Sequence, residues 1–173
     1  MIAPDGTVTY AFLDADYRNR AEPARLVDAL QAIRTGAPTP EHTLLQFWEG
    51  VWNPPYDLVL VDRLMTEDFV ITSAGTGITG RAAFKEWIKG FQAKIADLRM
   101  SNRDIFPSAD GKRVVSRWVA SGRNRGMFGT SADDRAVEFT GIAIWEVRDS
   151  KLAHNWVERS AYELAQKLRP PEK

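Results

Sequence analysis

The chain has 173 residues, a length that suits one domain with a buried core. Lys plus Arg and Asp plus Glu both count 23, so no basic excess favours nucleic acid, and no polybasic run points to an anionic membrane. With no cysteine, disulfides and thiolate metal sites are excluded, and two histidines far apart in sequence, His42 and His154, do not suggest a metal site.

Residues 1–20 read as an arm, with a short strand over Thr7–Phe12. The opening Met1-Ile2-Ala3-Pro4-Asp5-Gly6 has neither a basic start nor a long apolar run, so no signal peptide is expected. No stretch approaches the roughly 18 apolar residues of a membrane helix, and the cytoplasm is the expected location. Leu26, Val27, Leu30 and Ile33 fall at helical spacing within Glu22–Ile33, and Thr35-Gly36-Ala37-Pro38-Thr39-Pro40 ends that helix. Residues 1–40 therefore form an arm and helix, suited to a pro-segment, a lid or a contact with a partner subunit.

After Pro40 a helix with a broad apolar stripe (Leu44, Leu45, Phe47, Trp48, Val51, Trp52) runs to Asn53-Pro54-Pro55, where proline stops it. A third helix carries Leu58, Val59, Val61, Leu64 and Met65. A short strand, Phe69–Thr72, follows, and Gly75, Gly77 and Gly80 read as a flexible turn. The next helix, about Arg81 to Ile95, sets Phe84, Trp87, Ile88, Phe91 and Ile95 on one side. Strands are expected over 98–107, 112–122, 135–148 and 151–160, with Asp110-Gly111 and Asp149-Ser150 as turns and a long loop over 122–134. A last helix, Ala161–Leu168, precedes Pro170-Pro171 and a short tail over 170–173. Helices first and then a run of antiparallel strands indicate an α+β domain over 41–169.

The last hairpin is the most informative stretch. With Asp149-Ser150 as a two-residue turn, Arg148 pairs with Lys151, Trp145 opposes His154, Ala143 opposes Trp156 and Gly141 opposes Glu158. One face then carries Phe139, Gly141, Ala143, Trp145, His154, Trp156 and Glu158. A slip of one residue would change the pairs but not the alternation along each strand. Small residues opposite large ones leave space above this face, which is how a pocket begins. His154 suits proton transfer near neutral pH, and a Glu158 in an apolar cavity would have its pKa raised by desolvation. Their Cα atoms would lie roughly 13 Å apart, so they would touch opposite ends of a ligand. On the preceding strand, alternation groups Val115, Arg117 and Val119 against Ser116, Trp118 and Ala120 without saying which set faces inward. An inward Arg117 would anchor an anion or a carbonyl.

The order of these elements resembles the nuclear transport factor 2-like superfamily and, more narrowly, the SnoaL-like polyketide cyclase group. The residues that carry the resemblance are Thr66-Glu67-Asp68-Phe69-Val70, Gly80-Arg81-Ala82-Ala83-Phe84, Asp97-Leu98 and Gly111-Lys112-Arg113-Val114-Val115, then Phe139–Val147 followed by Lys151–Trp156. The resemblance covers about residues 41–169. It implies a cone-shaped, curved antiparallel sheet wrapped by N-terminal helices, a pocket for a hydrophobic ring system, a homodimer through the outer sheet face, and ring closure by acid–base chemistry without metal or cofactor. The sequence departs from that pattern where the family's catalytic Asp lies four residues after the Trp of the last strand: Ser160 stands there, and serine cannot do carboxylate work. The family's His just before that Trp is Asn155, and its His after the first short strand is Thr72.

Three functions follow as expectations. The first is a cofactor-independent cyclase, isomerase or hydrolase acting on a small hydrophobic molecule, with His154 and Glu158 moving protons and Trp48, Phe139, Trp145 and Trp156 forming the wall. The second is a non-catalytic binding module of the same shape. The third is a dimeric interaction protein. Fold analogy alone does not separate them.

Overall fold

The computed structural model describes residues 38–169 together with Val27 and Leu30, both helical and exposed. The expected N-terminal strand, most of the first helix and the tail over 170–173 lie outside the described residues. The first fully described helix, α1 (Pro40–Val51), starts where Thr39 caps it: the Thr39 hydroxyl accepts from the His42 amide at 3.2 Å, and Pro40 occupies the first turn, where its missing N–H costs nothing. It buries Leu44, Phe47, Trp48 and Val51 along one side. A short helix, α2 (Val59–Leu64), leads directly into strand β1 (Met65–Ser73).

A fourth region of regular structure was not expected from the glycines. Ala74 and Gly75, both at positive φ, turn the chain back into β2 (Thr76–Thr79), which pairs antiparallel with β1. Helix α3 (Arg81–Gln92) follows, then β3 (Ile95–Pro107), β4 (Arg113–Asn124), a single 3-10 turn at Met127–Gly129, β5 (Ala136–Arg148), β6 (Lys151–Arg159) and α4 (Ala161–Leu168). The six strands form one sheet in the order β2-β1-β6-β5-β4-β3. All neighbours are antiparallel except β1 and β6, which run parallel. The helices α1 and α3 lie on the concave side, and the core fills the space between them and β3–β6. The architecture is the expected α+β one. Among the described residues no helix is long and apolar enough to cross a membrane.

Two side chains bind the end of α1 to the sheet's outermost strand. Asn53 donates to the Met100 carbonyl at 2.9 Å and accepts from the Met100 amide at 3.0 Å, filling a backbone pair that a further strand would otherwise take. Tyr56 donates its hydroxyl to the Leu98 carbonyl at 2.8 Å. The long 124–135 loop is held from its base by Asn124, which is fully buried. Its Oδ1 accepts from the Gly126 and Met127 amides, and its Nδ2 donates to the Ser131 carbonyl and to Asp133 Oδ1. Arg135 then reaches the Lys167 and Leu168 carbonyls at the end of α4, satisfying acceptors that a helix C-terminus leaves open.

The decisive departure from the expected pairing lies in the last hairpin. The turn is at Asp149-Ser150, both at positive φ as a tight type I′ turn requires, and Arg148 pairs with Lys151. Val147 then pairs with Leu152, but Glu146 pairs with His154, so Ala153 is an extra residue on β6. Leu152 and Ala153 are consequently both buried. Beyond this bulge the alternation of β6 is inverted. Asn155, Val157 and Arg159 face the core, and His154, Trp156 and Glu158 face outward.

Candidate functional site

Three rows of residues cross β4, β5 and β6 on the concave face. Val114, Trp145 and Asn155 form one row, Ser116, Ala143 and Val157 the next, and Trp118, Gly141 and Arg159 the third. Small side chains at Ser116, Gly141 and Ala143 make a low floor. The two tryptophans lean over it. Trp145 Nε1 donates to Ser116 Oγ at 3.1 Å. The Trp118 ring lies across Gly141 so closely that a Cβ there would sit 2.2 Å from it. The space predicted above Gly141 and Ala143 is thus largely taken by an indole.

The helices close the cage from above. Trp48 and Trp52 come from α1, with the Trp48 ring tilted 5.7 Å from Trp118 and edge-on 6.3 Å from Trp145. From α3, Phe84, Trp87 and Phe91 form a ladder of rings at 5.8 and 5.4 Å, with Trp87 and Phe91 only half-buried. These walls surround a cavity that leaves about 30 Å³ open to the centres of water molecules, room for about two waters. Trp87 and Phe91 are its only half-buried rings, so they mark the way in.

The polar content of the cage is narrow. Asn155 and Arg159 reach it from β6, and no carboxylate or imidazole lines it. Arg159 stacks its guanidinium over Trp87 at 5.3 Å and over Phe91 at 5.4 Å. Burial pushes its pKa below the ordinary arginine value, and the nearby Glu158 charge opposes that shift. Arg159 makes no ion pair among the described residues.

The predicted site residues are divided by this geometry. Trp48 and Trp145 line the cavity, and Phe139 points the same way, buried against Trp118, Phe91 and Phe128. His154, Trp156 and Glu158 do not: the expected pairing placed them inside, and the Ala153 bulge turns them out. His154 stacks on Trp156 with ring centres 3.7 Å apart, and its Nε2 is 2.9 Å from the Thr72 hydroxyl. Glu158 is exposed. Arg117 also faces outward and pairs with Asp104 at 2.6 Å, so it is not an anchor inside the pocket. This outer face, where the resemblance implies a second copy, exposes Ile142 and Ile144. Among the described residues no three metal-ligating side chains come together.

Sequence reasoning missed Asn155 and Arg159, together with Trp52, Trp87, Phe91 and Trp118 as wall residues. The available signal was the adjacent apolar pair Leu152-Ala153, which breaks strict alternation and marks a bulge. A physical argument pointed the same way. Val157 is apolar and belongs inside, whereas enclosing His154 and Glu158 in an indole cage would strip both of water.

His154 gives a pH prediction. Burial lowers its pKa from the ordinary 6.5, with Glu146 pulling the other way. The unfolded chain therefore binds a proton more readily than the folded one, and the stability tied to neutral His154 is present above about pH 6.5 and lost as pH falls below it. Wild type should lose thermal stability faster than His154→Gln on acidification from pH 7.5 to 5.5. An NMR titration of the ring should show a midpoint below that of a free histidine, and a midpoint at or above it would remove the argument.

A family model for the SnoaL-like polyketide cyclases matches residues 42–168. No curated protein matches the sequence. Among solved structures, one named as a SnoaL-like polyketide cyclase from Jannaschia sp. CCS1 superposes with a TM-score of 0.70 at 12% identity, covering 77% of this chain and 93% of its own. IdmH from Streptomyces antibioticus, named as a polyketide cyclase, gives 0.65 at 24% identity over 75% and 97%. AclR from Streptomyces galilaeus, named as a hydroxylase, gives 0.65 at 18% identity over 77% and 87%. At these identities the superpositions establish the fold.

Proposed function

The chain belongs to the SnoaL-like polyketide cyclase family, and on that premise we propose that its cage takes up a small hydrophobic ring compound and holds it without an acid–base step by the family's usual residues. The observation that carries this is the lining itself: indoles and phenyl rings with one amide and one guanidinium, and no group that exchanges a proton near pH 7. The family's Asp position, Ser160, supports the same reading. It closes the end of the β5–β6 ladder, its Oγ accepting from the Thr140 amide at 3.0 Å, and it lies outside the cavity lining. Aromatic walls supply the affinity, because flat rings stack on them with little loss of side-chain freedom. A ring is larger than two waters, so uptake swings Trp87 and Phe91 outward from α3.

Mass spectrometry of the denatured protein, together with quenching of the indole fluorescence by a panel of one- and two-ring compounds, tests this. Wild type should quench saturably, and Ala143→Leu, which raises the floor of the cage, should weaken binding by about tenfold or more. Saturable binding that is unchanged by a filled floor would place the ligand elsewhere and sink the proposal, as would turnover of a compound that depends on His154 or Glu158.

A further inference from the structure

Four residues that line the cage each bury an N–H group with no partner among the described residues: Trp48 Nε1, Trp118 Nε1, Asn155 Nδ2 and Arg159 Nε. All four are donors. A buried donor left unpaired costs about 1–3 kcal/mol, and here the deficit is gathered at one place and has one sign. No acceptor side chain in the lining answers it except the Asn155 carbonyl and the Ser116 hydroxyl beneath, and the latter already receives Trp145 Nε1. Arg159 adds a positive charge that no carboxylate in the cage balances. Its guanidinium plane rests on Trp87 and Phe91, the half-buried rings of the mouth, so the charge sits at the rim.

From this arrangement we propose that the ligand is an aryl carboxylate, its ring held between the indoles and its carboxylate on Arg159, with Asn155 and an indole N–H as further donors. This rests on the small-molecule reading of the cage and sharpens it. A carboxylate matches the arrangement because it accepts only, can take two hydrogen bonds from one guanidinium, and neutralises the buried charge. A neutral ketone would fill some of the donors and leave the charge. A hydrocarbon would fill none.

The test compares benzoate, benzamide and toluene, titrated at constant ionic strength into wild type, Arg159→Met and Arg159→Lys, with circular dichroism confirming that each variant is folded. The expected order in wild type is benzoate above benzamide by about tenfold or more, with toluene weakest, since a charge-assisted pair is about twice as strong as a neutral one. Arg159→Met should erase the preference for benzoate, bringing it to the level of benzamide, and Arg159→Lys should restore part of it. Equal binding of benzoate and benzamide in wild type would overturn the anchor while leaving the small-molecule reading intact, the donors then being served by water. Loss of all three probes in Arg159→Met would show that Arg159 only braces Trp87 and Phe91, which also overturns it. Failure of every probe in wild type would remove both the anchor and the reading beneath it.

Discussion

Replacing Trp118 by alanine is expected to cost about 3–5 kcal/mol of stability, in the range measured for deleting a large buried aromatic. Trp118 is 2% exposed and packs on Trp48 and on Phe139. Its Nε1 has no partner among the described residues, so the substitution breaks no hydrogen bond there and the loss is one of packing. The ring also fills the gap that Gly141 leaves in the floor. Trp118→Ala should therefore open an apolar cavity that the surrounding rings cannot collapse into. Urea denaturation measures the loss, and added indole supplies the control. It should raise the midpoint of the variant by more than that of wild type, because only the variant has a space of that shape. A variant as stable as wild type, or one that indole fails to rescue, would mean the cage repacks freely and is not a preformed site.

The second large effect is expected at Asn124, for a different reason. Its side chain meets the Gly126 and Met127 amides on one side and the Ser131 carbonyl and Asp133 on the other. Alanine leaves those two amides without partners, and at about 1–3 kcal/mol for each orphan the loss is about 2–6 kcal/mol. Asn124→Asp keeps the acceptor but points a carboxylate at Asp133, whose own carboxyl is held below its ordinary value first of all by the Asn124 amide. Both variants should show faster proteolytic cleavage within residues 125–134 than wild type, and the aspartate should recover stability as the pH falls toward 4. Unchanged cleavage would show that the Arg135 contacts to the end of α4 hold the loop without Asn124.

Much of the fold was readable because its signals are local. The apolar spacing of Leu44, Phe47, Trp48 and Val51 and the proline that follows fix α1, and Ala161–Leu168 was read with the bounds that α4 has. Strict alternation from Val137 to Trp145 fixes the inner face of β5, because a strand with one side in water has no other way to hide its aromatics. Strand β2 was hidden because four residues set among Gly75, Gly77 and Gly80 carry the composition of a turn, and only pairing with β1 makes them a strand. The inner face of β4 could not be chosen from sequence, since Val115-Arg117-Val119 and Ser116-Trp118-Ala120 are both part apolar. The sheet decides it by placing Trp118 over Gly141. The error at His154 and Glu158 has the same origin. Alternation carried through Ala153 puts both inside, and a bulge is a property of two paired strands, visible only when both are laid side by side.

That bulge also sets the chemical identity of the cage by parity. Strand β6 interleaves two inventories: His154, Trp156 and Glu158 on one phase, and Asn155, Val157 and Arg159 on the other. One supplies an acid and a base. The other supplies donors and a fixed cation. Which of them meets a ligand depends on whether the count of residues between the Asp149-Ser150 turn and the site is odd or even. A single-residue insertion or deletion there would exchange the whole set at once. Within this architecture, one residue of register thus decides whether the face toward the helices carries an acid and a base or donors and a cation.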